Sequence, residues 1–465
     1  MVQCHAVSFL CLPQSGASYH RTGSTEEIVI RRRVTTYDKL SRSKQRTNTY
    51  IRAPTKNPAC YYFPYLIKAA TMKPSIEQHK ALYITYLALL AATPPLSTDM
   101  YLAALPEIAS SWGVGKDLIN LTLVLWFASF SVSILISGSL SDKYGRKPLL
   151  LWGLSLFVVT SFLCAGAGSA QMLILFRIFQ GLGAGAPAAI VLAIIRDRFT
   201  GKERHQAIAY VMTIVAVAPM VAPIIGAMLL EFFNWRFIFV MQGVMVSITL
   251  LVTFAFKESL ADPLNISLKR LMTRYTVHFR NKEFMFASIS MGILVLPFYG
   301  FIAFSPIYYI TIHGLSEKMF SLLFGLNALS SMCGAFSSSF IVKWVSDKTV
   351  ITVSIYGCVI AGIGLMVLGS QHFLYFFVFM AFFSFCTGIS RPISGNMILG
   401  LVKTDVGSAS SFLVFYQFIS GALCMAFVTL QWSYPVLVYG SLTTIVSILV
   451  LILWARIAPH LNPIH

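Results

Sequence analysis

The sequence predicts an all-α membrane protein with twelve transmembrane helices arranged as two six-helix halves. Hydrophobic residues make up 57% of the 465 residues and charged residues only 11%, whereas an ordinary soluble domain has about 25% charged residues. The hydrophobic residues form blocks of about 20, long enough to cross a hydrocarbon core about 30 Å thick. One long polar connection, residues 257–283, divides these blocks into two sets of six.

The bounds of the segments follow from these blocks and from the polar loops between them. They give an N-terminal half over residues 72–256, a cytoplasmic linker over 257–283 and a C-terminal half over 284–465, a layout typical of transporters built from two repeats. The twelve segments are 81–101, 118–140, 149–168, 171–195, 207–230, 235–256, 284–309, 319–342, 349–369, 372–395, 407–429 and 433–455.

Residues 1–71 differ from everything that follows. They contain eleven Lys or Arg residues, only three Asp or Glu residues, and the basic run Arg31–Arg33. No stretch among them is long enough to span a membrane. One interpretation is a basic, disordered or transit-like tail. The other is that translation starts at Met72 and the upstream part is an extended reading frame. In both cases the tail is excluded from the predicted fold.

The distribution of positive charge predicts the orientation. With a cytoplasmic N-terminus, the cytoplasmic loops contain sixteen Lys and Arg residues, and the opposite loops contain three, Lys116, Arg236 and Lys318. Loops rich in Lys and Arg stay on the cytoplasmic side. We therefore expect both termini in the cytoplasm and the protein in the inner (plasma) membrane. Because the net charge of +18 is spread over these loops, no nucleic-acid partner is predicted.

Known catalytic and cofactor-binding patterns are missing from the sequence. There is no GxxxxGK[ST] loop for ATP phosphates and no HExxH or GxSxG motif. The eight cysteines form no CxxC pair, and most fall in hydrophobic segments. The sequence therefore predicts no enzyme activity, no cofactor and no metal site.

A ten-residue string, GSLSDKYGRK, joins segments two and three and begins at Gly138. Gly138 permits close helix approach, Asp142 can cap a helix or pair with an arginine, and Gly145 permits a tight turn. Arg146 and Lys147 hold the loop in the cytoplasm. The string resembles the signature GxLaDrxGrk of the major facilitator superfamily at every main position. This resemblance implies the twelve-helix major facilitator fold and a role for the loop in closing the cytoplasmic side.

Segment four contains an arginine, Arg177, among hydrophobic residues. A charge inside a span costs at least about 2.5 kcal/mol on insertion scales, so it normally faces a cavity; near an interface it can instead extend to water. Gly181 and Gly185 follow at four-residue spacing, which lets a neighbouring helix approach closely. The pattern resembles the RxxqGxg motif of the same superfamily, where the arginine is linked to proton coupling.

Segment five carries a stripe of small residues. Ala218, Ala222 and Gly226 recur every four positions, and Pro223 removes one backbone hydrogen bond. The stripe is similar to the gxxxGPxxGG motif of proton antiporters, although alanine replaces glycine at 218, 222 and 227. An ordinary helix-packing surface would show the same small residues.

Segment one ends in the string STDMYLAALP, which contains Asp99. A carboxyl group in an apolar span favours its protonated form, so Asp99 could take up and release protons; it could equally cap a helix end. This string and the pair Arg196–Asp197 after segment four resemble the Bcr/CflA drug exporters, many of which have proline at the position of Ala103. The resemblance implies a gate in which Arg196 and Asp197 act with the loop at Gly138.

Similar strings extend the resemblance over residues 75–456. They are NWRFIF at 234–239, FGLNAL at 324–329 and GSASS at 407–411. In segment ten, Arg391 either extends to the cytoplasmic surface or lines the path. The cavity between the halves is expected to be apolar and aromatic, suited to amphiphilic, weakly cationic or neutral compounds. Candidate cavity residues, each of which could instead be a packing residue, are Tyr101, Trp126, Phe130, Tyr299, Phe301 and Tyr416.

The resemblance implies proton-coupled export of small amphiphilic compounds, of the bicyclomycin and chloramphenicol class, by alternating access. Asp99 and Arg177 are the expected proton-coupling residues. The predicted partners are a small-molecule substrate, protons and the lipid bilayer, and the protein is predicted to be a monomer. A transporter of the same fold with a narrow physiological substrate, such as a siderophore, amino acid or sugar, is the alternative; a membrane enzyme or receptor is a third, for which no embedded cluster of His, Asp or Glu is visible.

Overall fold

The computed structural model describes residues 30–34, 47–51, 80–261, 276, 280–402 and 406–459. Most of residues 1–71, to which the predictions for the tail apply, therefore lie outside the described residues. The exceptions form two strands. These are β1 (Ile30–Val34) and β2 (Thr47–Ile51), which pair antiparallel. The sequence did not predict a strand there, and both interpretations of the tail stay predictions. Most of the predicted linker also lies outside the described residues.

The described residues from Lys80 onward are helical, as predicted. Twelve helices in this part of the chain are long and apolar enough to cross a membrane, which confirms the predicted fold class and span count. The helices are α1 (Lys80–Leu102), α2 (Leu105–Trp112), α3 (Lys116–Tyr144), α4 (Arg146–Ala165), α5 (Ala170–Arg198), α6 (Gly201–Phe232), α7 (Trp235–Ala255), α8 (Lys282–Ile293), α9 (Leu296–Pro306), α10 (Glu317–Ile341), α11 (Asp347–Leu368), α12 (Phe373–Gly400), α13 (Val406–Val428) and α14 (Pro435–Ile457).

The outer surface of the helix bundle is apolar. Leu251, Phe254 and Ile445 have exposed fractions of 68%, 59% and 64%. A soluble protein rarely exposes so many large hydrophobic side chains over a continuous surface. The exposed apolar surface fits contact with lipid, which removes the need for polar residues there.

Polar residues define where several helices begin. The side chains of Ser169, Asn234, Ser316 and Ser346 each accept a hydrogen bond from a backbone N–H in the first turn of the helix that follows. These bonds satisfy donors that have no partner within the helix. Short polar connections therefore suffice to reverse the chain between spans.

Two proline residues create boundaries that the hydrophobic pattern did not reveal. Segment seven, predicted as one helix over 284–309, consists of α8, α9 and a π-helical continuation at Ile307–Ile312. Pro297 stands in the first turn of α9, because it has no N–H to continue the hydrogen bonding of α8. Pro106 likewise stands in the first turn of α2, a short helix that was not predicted.

The two halves repeat the same helix pairings. In the first half α3 packs on α5, α4 packs on α5 and α7, and α1 packs on α6. In the second half α10 packs on α12, α11 packs on α12 and α14, and α9 packs on α13. The pairings correspond span by span, so the chain contains a structural repeat of six spans.

Two pairs of helices join the halves: α3 with α13, and α6 with α10. At one end of the bundle, Lys318 of α10 forms an exposed ion pair of 2.7 Å with Glu231 of α6. Deeper in the same interface, the Ser321 hydroxyl donates to the Pro223 carbonyl at 2.8 Å. We call this end of the bundle the Lys318 end, and the opposite end, which carries the turn between α3 and α4, the Arg146 end.

Candidate functional site

A fully buried arginine lies at the centre of the first half. The Arg177 Nη1 atom of α5 donates to Gln180 Oε1 at 2.7 Å and to the hydroxyl and carbonyl oxygens of Ser97 of α1, both at 3.3 Å. None of the Arg177 side chain is exposed. A charge at this depth needs polar partners, because transfer out of water without them is costly.

Two glutamines extend these contacts into a network. The Gln180 Nε2 atom donates to Ser161 Oγ at 2.7 Å and to Gln242 Oε1 at 3.3 Å. The Gln242 Nε2 atom donates to the Ser97 carbonyl at 3.1 Å, so the network leads back to α1. This network, which we call the Arg177 cluster, therefore joins α1, α4, α5 and α7. Ser161 and Gln242 were not predicted as site residues, because each is an isolated polar residue in a hydrophobic segment.

The Arg177 cluster leaves donors without acceptors. Among the described residues, the Arg177 Nε and Nη2 atoms and the Trp126 Nε1 atom have no hydrogen-bond partner. The guanidinium instead faces the rings of Tyr101 and Trp126, with its central carbon 4.8 and 5.4 Å from their centroids. Such cation–π contacts offset part of the cost of burying the charge. The site therefore offers unused donors beside aromatic rings.

Asp99 is buried in the same half but forms no ion pair with Arg177 among the described residues. The Asp99 residue is 5% exposed, and the Thr98 hydroxyl donates to its Oδ1 atom at 2.8 Å. Ser97, which contacts Arg177, lies two residues earlier, and two residues turn an α-helix by about 200°. No ion pair joins Asp99 to Arg177 among the described residues. The two predicted proton-coupling residues are therefore separate buried groups.

A row of aromatic rings crosses the interface between the halves. Trp126 stacks on Phe130 of α3 at 4.9 Å, Phe130 meets Phe418 of α13 edge-on at 4.9 Å, and Phe418 packs on Tyr299 of α9 at 5.3 Å. We call these four residues the aromatic bridge. Three of them were predicted cavity residues. Phe418 was missed, although it lies two residues after the candidate Tyr416.

The other predicted cavity residues occupy different surroundings. The Tyr101 hydroxyl shares a hydrogen bond of 2.9 Å with Thr122, and its ring faces Arg177. Phe301 stacks on Phe324 at 5.5 Å within the packing of the second half. The half-buried Tyr416 ring lies so close to Gly292 that a Cβ there would overlap it. The predicted contact of these residues with substrate stays a prediction.

Arg391 lines a pocket at the Arg146 end of the second half. The half-buried guanidinium lies against the hydroxyl of Tyr299, the last residue of the aromatic bridge. Nine residues, about 13 Å of helix, separate Arg391 from the end of α12 at Gly400. Whether Arg391 extends to the cytoplasmic surface or lines the transport path stays a prediction. The other polar residues lining this pocket are Ser288, Ser390, Ser394 and Gln417.

The turn between α3 and α4 is organised by Arg146. The Arg146 Nη1 atom donates to Asp142 Oδ1 at 2.6 Å and to Ser141 Oγ, and its Nε atom donates to Asp197 Oδ2 at 3.0 Å. Arg146 is only 5% exposed. It therefore ties the turn to the end of α5 through two carboxylates. Of the predicted pair at 196–197, Asp197 contributes its side chain, whereas Arg196 contributes its backbone carbonyl, which accepts from Arg204 Nη2 at 3.3 Å.

A third carboxylate, Glu258, was not predicted. Its two oxygens accept the backbone N–H groups of Arg146 and Lys147, each at 3.0 Å. These are unpaired donors at the start of α4, where a negative charge is favourable. Gly145 has φ +99°, and a Cβ there would lie 2.6 Å from the Glu258 carboxylate. The Lys147 Nζ atom donates to the Phe254 carbonyl at 2.8 Å.

The predicted small residues lie where helices approach closely. A Cβ at Gly181 or Gly185 would overlap α3, and a Cβ at Gly226 would overlap the Met100 carbonyl of α1. Ala222 and Pro223 are buried in the same stretch of α6. Gly138 faces the Ser411 hydroxyl of α13, so α3 and α13 are also close near the Arg146 end.

Comparison with known proteins identifies the family to which this chain belongs. The family model of the Major Facilitator Superfamily matches residues 87–425. The "Uncharacterized MFS-type transporter YdgK" of Bacillus subtilis is 29% identical over 344 residues, covering 72% of this chain and 86% of that protein. The "Multidrug resistance protein MdtL" of Shewanella oneidensis is 26% identical over 335 residues, covering 71% of this chain and 84% of that protein.

Solved structures agree on the fold. A bacterial homolog of the human lysosomal transporter Spinster, in an inward-facing conformation, has a TM-score of 0.64 at 15% identity, covering 84% of this chain and 100% of that chain. A D-xylose-proton symporter has a TM-score of 0.61 at 12% identity, covering 79% of this chain and 97% of that chain. With twelve apolar helices and a family match over most of its length, this chain is a multi-pass membrane transporter of the Major Facilitator Superfamily.

Proposed function

We propose that this protein exports small amphiphilic compounds in exchange for protons, by alternating access, and that it belongs to the Bcr/CflA drug exporters within its superfamily. The observation that carries the proposal is the Arg177 cluster. A fully buried guanidinium with two unpartnered nitrogen atoms lies in the same half as a buried carboxyl group, Asp99. Ionisable groups at membrane depth are retained where they bind or move charge.

The two groups have complementary roles in this proposal. Asp99 takes up a proton from one side of the membrane and releases it to the other, because burial favours its neutral form and water access favours its charged form. Arg177 keeps a fixed positive charge and competes with the proton electrostatically. The opposite positions of Ser97 and Asp99 around α1 fit separate roles, in which Arg177 acts on Asp99 electrostatically across the helix.

The relatives support export as the direction of transport. Several similar proteins carry the name multidrug resistance protein MdtL. One proton that moves down a potential of 100 mV releases about 2.3 kcal/mol. At about 1.4 kcal/mol per factor of ten, this sustains a substrate gradient of roughly fiftyfold. Exchange with one proton is therefore sufficient for an exporter.

The Arg146 end is proposed to face the cytoplasm, in the inner membrane, with both chain termini on that side and the protein acting as a monomer. In this orientation the turn held by Arg146, Asp142, Asp197 and Glu258 lies at the cytoplasmic entrance. The turn connects α3, which contacts the second half, to α4 and α5, which contain parts of the Arg177 cluster. It can therefore transmit movement of the halves to the buried charges.

Efflux measurements test the proposal. Cells that overexpress the protein are loaded with radiolabelled chloramphenicol, and efflux is followed with and without an uncoupler. We expect efflux that stops when the proton gradient collapses, and we expect Asp99→Asn and Arg177→Ala each to abolish coupled efflux. Arg456→Ala, at an exposed position near the end of α14, is the matched control and should retain wild-type efflux.

Three outcomes would contradict this proposal. Efflux that continues unchanged with the uncoupler would exclude proton coupling. Full activity of both variants, with membrane levels equal to those of the Arg456→Ala control, would remove Asp99 and Arg177 from the mechanism. Absence of chloramphenicol efflux in cells that overexpress the wild-type protein would favour the alternative, a transporter with a narrow physiological substrate.

A further inference from the structure

Among the described residues of the second half, one charged side chain lies more than two residues from the end of a helix, and it is positive. From residue 282 onward the described acidic residues are Glu283, Glu317 and Asp347, each in the first turn of a helix, whereas Arg391 lies nine residues inside α12. Asp405 lies outside the described residues. Among the described residues, no carboxylate forms an ion pair with Arg391. An embedded arginine without a carboxylate partner is expected to meet a negative charge from elsewhere.

The surroundings of Arg391 are suited to bind an anion. Its guanidinium lies against the Tyr299 hydroxyl and borders the same pocket as Gln417, Ser390 and Ser394. The Gln417 amide can donate to a carboxylate, and a guanidinium can bind its two oxygens together. The Ser390 and Ser394 hydroxyls donate to backbone carbonyls of α12 instead and give the pocket wall polar oxygen atoms. No acidic side chain lines this pocket.

Buried aromatic rings adjoin the guanidinium of Arg391. The Tyr299 hydroxyl contacts Arg391, and the Tyr299 ring belongs to the aromatic bridge, which continues through Phe418 and Phe130 to Trp126. Beyond Trp126 lies the second buried arginine, Arg177. The row of rings is therefore bordered by a positive charge at each end.

We propose that Arg391, with Tyr299 and Gln417, is a binding site for a carboxylate of the transported substrate, and that the protein prefers amphiphilic carboxylates with an aromatic or other apolar body over neutral substrates. This inference rests on the proposed transport function. It changes the expectation from the sequence, because a path with two arginines and Asp99 as its acidic group repels cations. The apolar body of the substrate packs on the aromatic bridge while Arg391 holds its carboxylate.

Three probes with the same aromatic body test this site: 2-naphthoate, neutral 2-naphthamide and cationic 2-naphthylmethylammonium. Each is tritiated, and its binding to purified full-length protein in phosphatidylcholine nanodiscs is measured by equilibrium dialysis at pH 7.5. We expect naphthoate to bind about tenfold more tightly than naphthamide, because a charge-assisted hydrogen bond is about twice as strong as a neutral one. The ammonium should bind most weakly.

Arg391→Gln should remove the preference for naphthoate while the affinity for naphthamide stays as in the wild type. Arg391→Lys should keep part of the preference, since an ammonium group retains the charge but not the two-pronged geometry. Arg456→Gln removes an exposed arginine from the same half and should keep the whole preference. Tyr299→Phe keeps the ring of the aromatic bridge and should weaken naphthoate binding selectively.

Equal affinities of the wild type for naphthoate and naphthamide, or no naphthoate binding, would overturn the proposal. A full preference retained by Arg391→Gln would overturn it as well. The ligand series on the wild-type protein decides the charge preference even where a variant does not fold. The assay contains no proton gradient, so its result is independent of whether efflux responds to an uncoupler.

Discussion

Gly145 shows how one residue determines the geometry of the turn at the Arg146 end. Its backbone has φ +99°, and the space where a side chain would begin is occupied by the Glu258 carboxylate. Arg146, the next residue, is bound by Asp142, Asp197 and Glu258. A side chain at 145 would therefore strain the backbone and displace the carboxylate that caps α4.

Gly145→Ala should lower the free energy of unfolding by roughly 1–3 kcal/mol, the usual cost of a strained backbone conformation. The measurement is thermal unfolding of the purified protein in detergent. Gly400→Ala is the control, because an added methyl group there meets no atom within 4 Å. Equal melting temperatures for the two variants would show that the turn is not held in this conformation.

At the residue scale the sequence predicted local contacts and missed distant ones. Asp142 and Arg146 could be linked because they are four residues apart in one loop, and they form an ion pair. Glu258 lies 112 residues from Arg146, and nothing in its neighbourhood distinguishes it from any other acidic residue after a span. Gln242 was missed for the same reason, since only the folded bundle brings it to Gln180 and Ser97.

At the scale of elements, the hydrophobic pattern located every span but not the breaks between short helices. Segment seven is apolar throughout, so its division at Pro297 leaves the hydropathy unchanged. The short helix α2 is similarly hidden between α1 and α3, although Pro106 marks its first turn. Proline positions therefore carry the information that mean hydropathy lacks.

The helix α2 supports a prediction on pH. Burial raises the pKa of the Glu107 carboxyl above its usual value, and nearby Glu317 raises it further, although a hydrogen bond from the Trp235 backbone lowers it. The folded state thus binds this proton more tightly than the unfolded state. As pH rises through the interval between the two pKa values, the free energy of unfolding decreases.

Glu107→Gln should therefore raise the melting temperature at neutral pH, and the gain should vanish in acid, where both states of the wild type are protonated. Thermal unfolding from pH 4 to pH 8 measures the difference. Glu283→Gln, which removes an exposed carboxylate in the first turn of α8, should show no such gain at neutral pH. A pH-independent effect of Glu107→Gln would contradict this interpretation.

At the scale of the whole molecule, the division into two six-span halves followed from one long polar connection. The structure adds what the sequence could not show: that the halves repeat the same pairings and meet through α3 with α13 and α6 with α10. These pairings depend on small residues at particular depths, such as Gly226 against Met100. Gly395, Gly400 and Gly407 also lie in helices, but an added Cβ there would meet no atom within 4 Å, so composition alone could not select the pairs.

The proposed orientation predicts which loops face the outside. Trp344, 89% exposed between α10 and α11, lies at the Arg146 end, and Tyr434, 73% exposed before α14, lies at the Lys318 end. In intact cells, a membrane-impermeant maleimide should label Tyr434→Cys, whereas Trp344→Cys should react only after permeabilisation. The parent protein gives the background from its own cysteines. The reverse labelling pattern would place the Arg146 end outside.

The aromatic bridge gives the protein an intrinsic optical probe. Trp126 stacks on Phe130 and faces the guanidinium of Arg177, and both Phe130 and the neighbouring Phe127 contact Phe418 of the other half. The emission of an indole depends on nearby charges and ring contacts. Separation of the halves would break these ring contacts, so the fluorescence of a native tryptophan can follow the transport cycle without an attached dye.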